Sequence, residues 1–136
     1  MVVVIAGILA TIAVPSFQSI TQSQRAKNAS FELYASLNLA RSEAIKRNTD
    51  VTVTPVAGNW QDGWDISASG VPSIRSQRAI KGIVVSGGPA SVVYAKNGRT
   101  AAASFQVDVS ATATANVRCI KIELSGMPRS IKGACS

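Results

Sequence analysis

The residues able to do chemistry in this 136-residue chain are two cysteines and a group of lysines and arginines near them. Cys119 and Cys135 cannot close a four-ligand zinc site, and there is no histidine to help them. In an exported chain they read as one disulfide; the alternative is a pair of buried free thiols in a cytosolic protein. A bridge closing a loop of that size contributes on the order of 3 kcal/mol in the chain-entropy picture. The missing histidine also removes the usual general base and the Ser-His-Asp and Cys-His constellations. What remains of catalytic signal is thin. Ser86-Gly-Gly-Pro-Ala-Ser91 lacks the Lys-Ser/Thr of a P-loop and reads as a turn. Asp62 and Asp65 flank Trp64, a pairing that sugar chemistry uses, but a surface hairpin explains it as well. Trp60 and Trp64 could stack on bases or sit in the core. The expectation is no enzyme, no metal and no cofactor.

The cations say more. Residues 1–70 hold five basic and five acidic residues, whereas residues 71–136 hold nine basic against two acidic, so the whole +7 excess lies in the second half. Such asymmetry points to a polyanion: nucleic acid, anionic lipid headgroups or an acidic protein face. A merely soluble basic surface is the alternative. The candidate contact residues are Lys121 on the last predicted strand and Arg129 and Lys132 in the tail after it. Arg118 and the pair Lys96 and Arg99, at a predicted hairpin tip, lie within reach. Cations on a pinned loop can follow a phosphate backbone at little ordering cost. With no aromatic and no recognition helix among them, such binding is blind to base sequence.

These residues need elements to position them. The chain opens on an uncharged apolar run, Met1 to Val14, without the basic flank or cleavage site of a secretory signal. Fourteen residues of helix reach about 21 Å, short of the roughly 30 Å of a bilayer core. Beyond Pro15, which should bend or locally open the helix, Ala26, Ala29, Leu33, Leu37, Ala40 and Ala44 form one stripe, widened by Phe31 and Tyr34. Glu43 can pair with Arg47, and Asn48 is a plausible cap. We expect one helix over residues 1–47, with 1–24 as an apolar stalk. Residues 25–136 form a head of helix 25–47 and a β-rich remainder, 48–136. Predicted strands are 51–54, 60–66 (broken at Asp62-Gly63), 82–85, 91–95, 104–109 and 117–124. Residues 67–73 and 110–116 read as loops. Asn97-Gly98 is the strongest hairpin signal, with 104–109 as the return strand. On the last strand Ile120, Ile122 and Leu124 should face the core. Cys119, Lys121 and Glu123 face out, so that Cys135 folds back over the outer face.

Two stretches resemble a known family. Gly7-Ile-Leu-Ala-Thr-Ile-Ala-Val-Pro15 is similar to the N-terminal helix of type IV pilins and pseudopilins. Ala35-Ser-Leu-Asn-Leu-Ala-Arg-Ser-Glu-Ala-Ile-Lys-Arg47 resembles the helix of the FimT/GspH group of minor pilins, as do the cysteine pair and Gly126-Met-Pro-Arg129. The resemblance implies an α+β pilin-like fold, a long N-terminal helix on antiparallel sheets with a disulfide-pinned tail. It implies no reaction, and partnership with other pilin subunits through the N-terminal helix. The expected location is the inner membrane before assembly, then the periplasm or an extracellular filament. It further implies either a type IV pilus subunit that binds double-stranded DNA for uptake in natural transformation, or a GspH-like subunit of a type II secretion pseudopilus. The family's basic leader and its Gly-Phe-Thr-Leu-Ile-Glu element, where processing and methylation occur, are not found before Met1. DNA-binding members carry Gly-Arg-x-Arg between the cysteines; here Gly126 and Arg129 match, and Met127 replaces the first arginine.

Overall fold

The structure, a computed structural model, describes residues 2–108 and 116–136, apart from the side chains of residues 12–16. Helix α1, Val2–Arg47, is 46 residues long and is helical through position 15. No break in the helix falls at Pro15, where the sequence leads to a bend or local opening. The helix stops where Asn48 takes a left-handed backbone (φ 51°) and Thr49 N–H reaches back to the Ala44 carbonyl at 3.2 Å. Its last turn carries Lys46 and Arg47, favourable beside the helix C-terminus. Arg47 donates to Glu43 at 2.5 Å, and this bond, with the nearby Lys46, holds the Glu43 carboxyl below its ordinary range.

Eight strands follow: β1 Val51–Pro55, β2 Gly63–Ala68, β3 Val71–Arg78, β4 Val84–Ser86, β5 Val92–Tyr94, β6 Ala103–Asp108, β7 Arg118–Ile122 and β8 Pro128–Lys132. They make two antiparallel sheets, ordered β3-β2-β1-β5 and β4-β6-β7-β8. The helix touches both, reaching β1, β2 and β5 on one side and β6, β7 and β8 on the other. Its stripe is the common floor: Ala26, Ala29, Leu33, Leu37, Ala40 and Ala44 are all buried. Alanine at four of the six positions lets strands approach the helix axis closely. The α+β pilin architecture expected from the resemblance is therefore present.

Several local expectations are corrected. Phe31 does not widen the stripe. At about 100° per residue it stands about 200° round from Leu33, off the stripe, and it is 65% exposed. The "loop" at residues 67–73 is a hairpin: β2 runs to Ala68, Gly70 (φ 77°) turns the chain, and β3 begins at Val71. The segment 60–66 starts as a single 3-10 turn, Trp60–Asp62, and becomes a strand only at Gly63. Asn97-Gly98 is a tight turn, with Gly98 N–H on the Ala95 carbonyl at 2.7 Å, but it joins no hairpin. β5 pairs with β1, whereas β6 lies in the other sheet, so the chain crosses between sheets after the turn. Leu124 is past the end of β7 and exposed. The residues after Gly126 are not simply draped over β7, because Pro128–Lys132 pairs beside it as an edge strand. Only residues beyond Gly133 fold across the outer face. The loop expected at 110–116, and Val109, fall largely in residues 109–115, outside those described.

Cys119 and Cys135 form the expected disulfide, with Cα atoms 5.1 Å apart. Cys119 points away from the helix yet is buried, because the returning tail covers it. The Cys135 backbone N–H also meets the Gln106 side chain at 3.4 Å, so the bridge ties the tail to β6 as well as to β7. Both tryptophans are core residues. Trp60 stands edge-on to Phe105 at 4.8 Å and donates to the Pro89 carbonyl at 2.8 Å, and Trp64 is buried beside it. They are out of reach of a base.

Three outcomes follow for stability. Ala40→Leu forces a larger side chain between helix and strands and should cost about 1–3 kcal/mol in denaturant unfolding with an unchanged m-value. Replacing both cysteines by alanine should cost about 3 kcal/mol, and amide exchange should quicken chiefly in residues 133–136. Tyr94→Phe should go the other way. The Tyr94 hydroxyl is buried, has no hydrogen-bond partner among the described residues, and is pushed well above its ordinary pKa by that burial. Removing it should leave stability unchanged or raise it by up to about 1 kcal/mol.

Candidate interaction surfaces

The six cations singled out by sequence do not form one cluster. Antiparallel pairing of β7 with β8 sets Arg118 opposite Lys132 and Lys121 opposite Arg129. Like charges directly opposite oppose pairing, so the strands hold these two pairs at some cost. Side chains alternate along a strand, and Ile120 and Ile122 are buried against the helix. Arg118 and Lys132 therefore lie on the helix side of the sheet, and Lys121 and Arg129 on its outer face. Lys96 and Arg99 are elsewhere again, in the turn near the end of the helix, where Lys96 N–H meets Asp50 at 3.2 Å and Arg99 N–H meets Asn97 at 3.1 Å. A strand alternation read from sequence puts Arg118 and Lys121 on opposite faces. The pairing of Lys132 with Arg118 could not be read, because β8 was not recognised as a strand.

On the outer face the disulfide does position a cation. Lys121 Nζ donates to the Ser136 carbonyl at 2.6 Å, so the pinned tail holds its ammonium. Arg129 bonds Glu123 at 3.0 Å, both side chains being more than half exposed. Such a pair is weakly held and can be exchanged for another anion.

At the far end of the helix two turns stack. A Cβ on Gly126 would lie 1.9 Å from the Gly98 carbonyl oxygen, and Gly126 has φ 81°, so only glycine fits this contact. Arg41 clamps the corner from the helix, donating through Nε to the Gly98 carbonyl at 3.1 Å while its Nη1 lies 3.2 Å from Met127 Sδ. Sequence reasoning missed Arg41. Its partners are 57 and 86 residues away, and nothing local marks it.

Two clefts run between the helix and β8. One is lined by Lys27, Phe31, Tyr34, Arg118, Met127 and Arg129 among others, the second by Ser23, Asn116, Val117, Arg118 and Lys132. They share Arg118 and so form one furrow along the helix, leading down to the stalk.

Below the head the described part of the helix stands exposed. Val2, Val3, Val4, Ile5, Ile8, Leu9, Phe17 and Ile20 are each between 57% and 83% exposed, and among the described side chains the first fully buried one on the helix is Ala26. No helix among the described residues is long and apolar enough to cross a membrane.

A family profile described as type II transport protein GspH matches residues 29–126. No curated protein matches the chain. Among solved structures, the type IV minor pilin FimU of Pseudomonas aeruginosa PAO1 aligns with a TM-score of 0.70 at 21% identity, over 81% of this chain and 98% of that one. The minor pseudopilin EpsH from the type 2 secretion system of Vibrio cholerae aligns at 0.65 and 15% identity, over 79% of this chain and 97% of that one. At such identities the likeness is one of fold alone. The GspH profile covers most of the head, from the helical stripe at Ala29 to the glycine that packs on the Asn97-Gly98 turn, and on that match this chain belongs to the GspH family of minor pilins and pseudopilins, structural subunits rather than enzymes.

Proposed function

We propose that this chain is a minor pilin of a type IV pilus, held in the inner membrane before assembly and then in the filament. Its apolar stalk packs among the helices of other pilins, and its head faces outward. The single observation behind this reading is the stalk: the helix is apolar on all sides over residues 2–10, and these side chains, with Phe17 and Ile20, stand exposed. Burying each such side chain is worth about 1.5–3 kcal/mol, so together they favour lipid or other helices strongly over water. The likeness to FimU favours a pilus. The profile's description and the likeness to EpsH favour a second reading, a subunit of a type II secretion pseudopilus contacting partner pseudopilins or cargo. Because Phe17 and Ile20 are mostly exposed and the buried stripe begins at Ala26, residues 25–136 should fold alone as a monomer, while the longer chain needs detergent or partner helices. Sedimentation of both in plain buffer tests this. A monodisperse monomer that retains the stalk would overturn the stalk's role.

DNA uptake is the finer part of the proposal. Lys121 and Arg129 on the outer face are held ready by the pinned tail and a weak ion pair, and Arg41 brings a further guanidinium beside Met127, where DNA-binding relatives carry arginine. Residues 25–136 should bind duplex DNA weakly and without sequence preference, with a log–log salt slope of about −0.9 per phosphate contact. Lys121→Gln with Arg129→Gln should flatten that slope by about two contacts. In a mobility shift across salt concentrations, no retardation at low salt, or an unchanged slope in the double variant, would leave the structural pilin reading alone standing.

A further inference from the structure

A second group of cations has no place in that reading. Arg25 and Lys27 are exposed on the helix at the foot of the head, beside Ala26, its first fully buried residue. The Arg25 guanidinium lies against Gly82, where an added Cβ would come within 2.9 Å of Nη1, and Lys81 is the next residue in the chain. On the other flank, Arg118 and Lys132 line the furrow with Ser23. These five residues come from α1, the segment before β4, β7 and β8, and they gather around one level of the helix. Among the described residues none of the five is in an ion pair. The second half of the chain has only two carboxylates, of which Glu123 is held by Arg129 and Asp108 has a partner of its own.

The sequence of surfaces along the helix is informative. Phe17 and Ile20 are exposed and apolar, Thr21-Gln-Ser-Gln24 is polar and uncharged, and the cations begin at Arg25. From Ile20 to Arg25 is five residues, about 7 Å of helix. That order, apolar to polar to cationic within two turns, matches the profile of a membrane–water interface, where Lys and Arg reach toward headgroups from an apolar stem.

We infer that Arg25, Lys27, Lys81, Arg118 and Lys132 form a basic collar that seats the foot of the head on anionic phospholipid headgroups while the stalk is in the membrane. The inference rests on the stalk's membrane residence before assembly. It also accounts for the like-charged Arg118–Lys132 pair: two cations that repel in water are tolerated where a phosphate can lie between them. Leaving the membrane for a filament then requires breaking these contacts as well as extracting the stalk.

The test uses the whole chain, diluted from detergent into vesicles of phosphatidylcholine alone or with phosphatidylglycerol added, and read by flotation. The expected result is binding to both through the stalk, and tighter binding to the anionic vesicles by about fivefold per seated cation, a gain that fades with salt. Arg118→Gln with Lys132→Gln should lose about 25-fold of that gain and keep binding to phosphatidylcholine. This variant removes a like-charge repulsion, so folding should not suffer. Lys27→Gln with Lys81→Gln should act the same way, and Lys96→Gln with Arg99→Gln, at the opposite end of the head, should change nothing. Equal binding to both lipids, or an equal loss in the Lys96/Arg99 variant, would overturn the collar. So would a Lys132/Arg118 variant that loses duplex DNA in a mobility shift but keeps its lipid preference, since the site then belongs to nucleic acid. A chain that binds neither vesicle fails at the stalk, a distinct result that removes the membrane reading beneath the inference.

Discussion

Everything in the head depends on one buried stripe. Ala26, Ala29, Leu33, Leu37, Ala40 and Ala44 give two four-stranded sheets a shared apolar floor, and neither sheet is closed without it. The upper part of the stripe meets Val51, Val53, Trp64 and Tyr94 from one sheet and Phe105, Ile120 and Ile122 from the other, in a single core. The lower part meets Ile83 and Val107 beside Ala29, with Ile80 and Val85 packed at their margin, a much smaller cluster. Small side chains are what allow strands on both sides to reach one helix, because each extra methylene would push one sheet away from the other.

With two sheets sharing a helix, the connections between them become the weak points, and the chain reinforces them individually. The crossing after β5 is fixed by the glycine contact between residues 98 and 126 and by Arg41 from the helix. The last edge is fixed by the disulfide and by the bond from Lys121 to the final residue. These fastenings also decide where charge ends up. One pair of cations faces out under the tail, one pair faces the helix near the stalk, and a third marks the far turn. A basic half of a sequence is thus divided into separate surfaces with separate opportunities.

The sequence made the helix, its buried stripe and the cysteine bridge legible because each has a strong local period or a small number of possible partners. A 3.6-residue repeat over Ala26 to Ala44 leaves little freedom, and two cysteines can pair in only one way within a chain. It failed where pairing is long-range. The start of β3 falls in the stretch 67–73 that reads as a loop, and the rest gives no strand signal, because Val71–Arg78 has a single strongly apolar pair, Val71 and Ile74, and an otherwise exposed, polar edge. β8 reads from sequence as part of the returning tail, whereas in the structure Pro128 opens an edge strand at a first strand position, where proline is tolerated. Asn97-Gly98 was recognised as a turn, but a turn does not say which strand will receive the chain. Those errors account for the site as well: Arg118 and Lys132 could not be brought together, nor Arg41 placed, until β8 and the crossing were known.

The helix serves stalk and head without a joint, and this has a mechanical consequence. A pull along the stalk enters the head as load parallel to the helix axis. From Ala26 to Ala44 the contacts with both sheets share that load side by side, in shear. Contacts arranged this way yield together rather than one after another, so a head should resist being dragged by its stalk far better than it resists being peeled from an edge strand. A less protected direction is outward at β3, whose polar outer edge pairs with no strand among the described residues and has no covalent fastening there. A filament that lengthens and shortens would stress each subunit along its strong axis and leave the weak one unloaded.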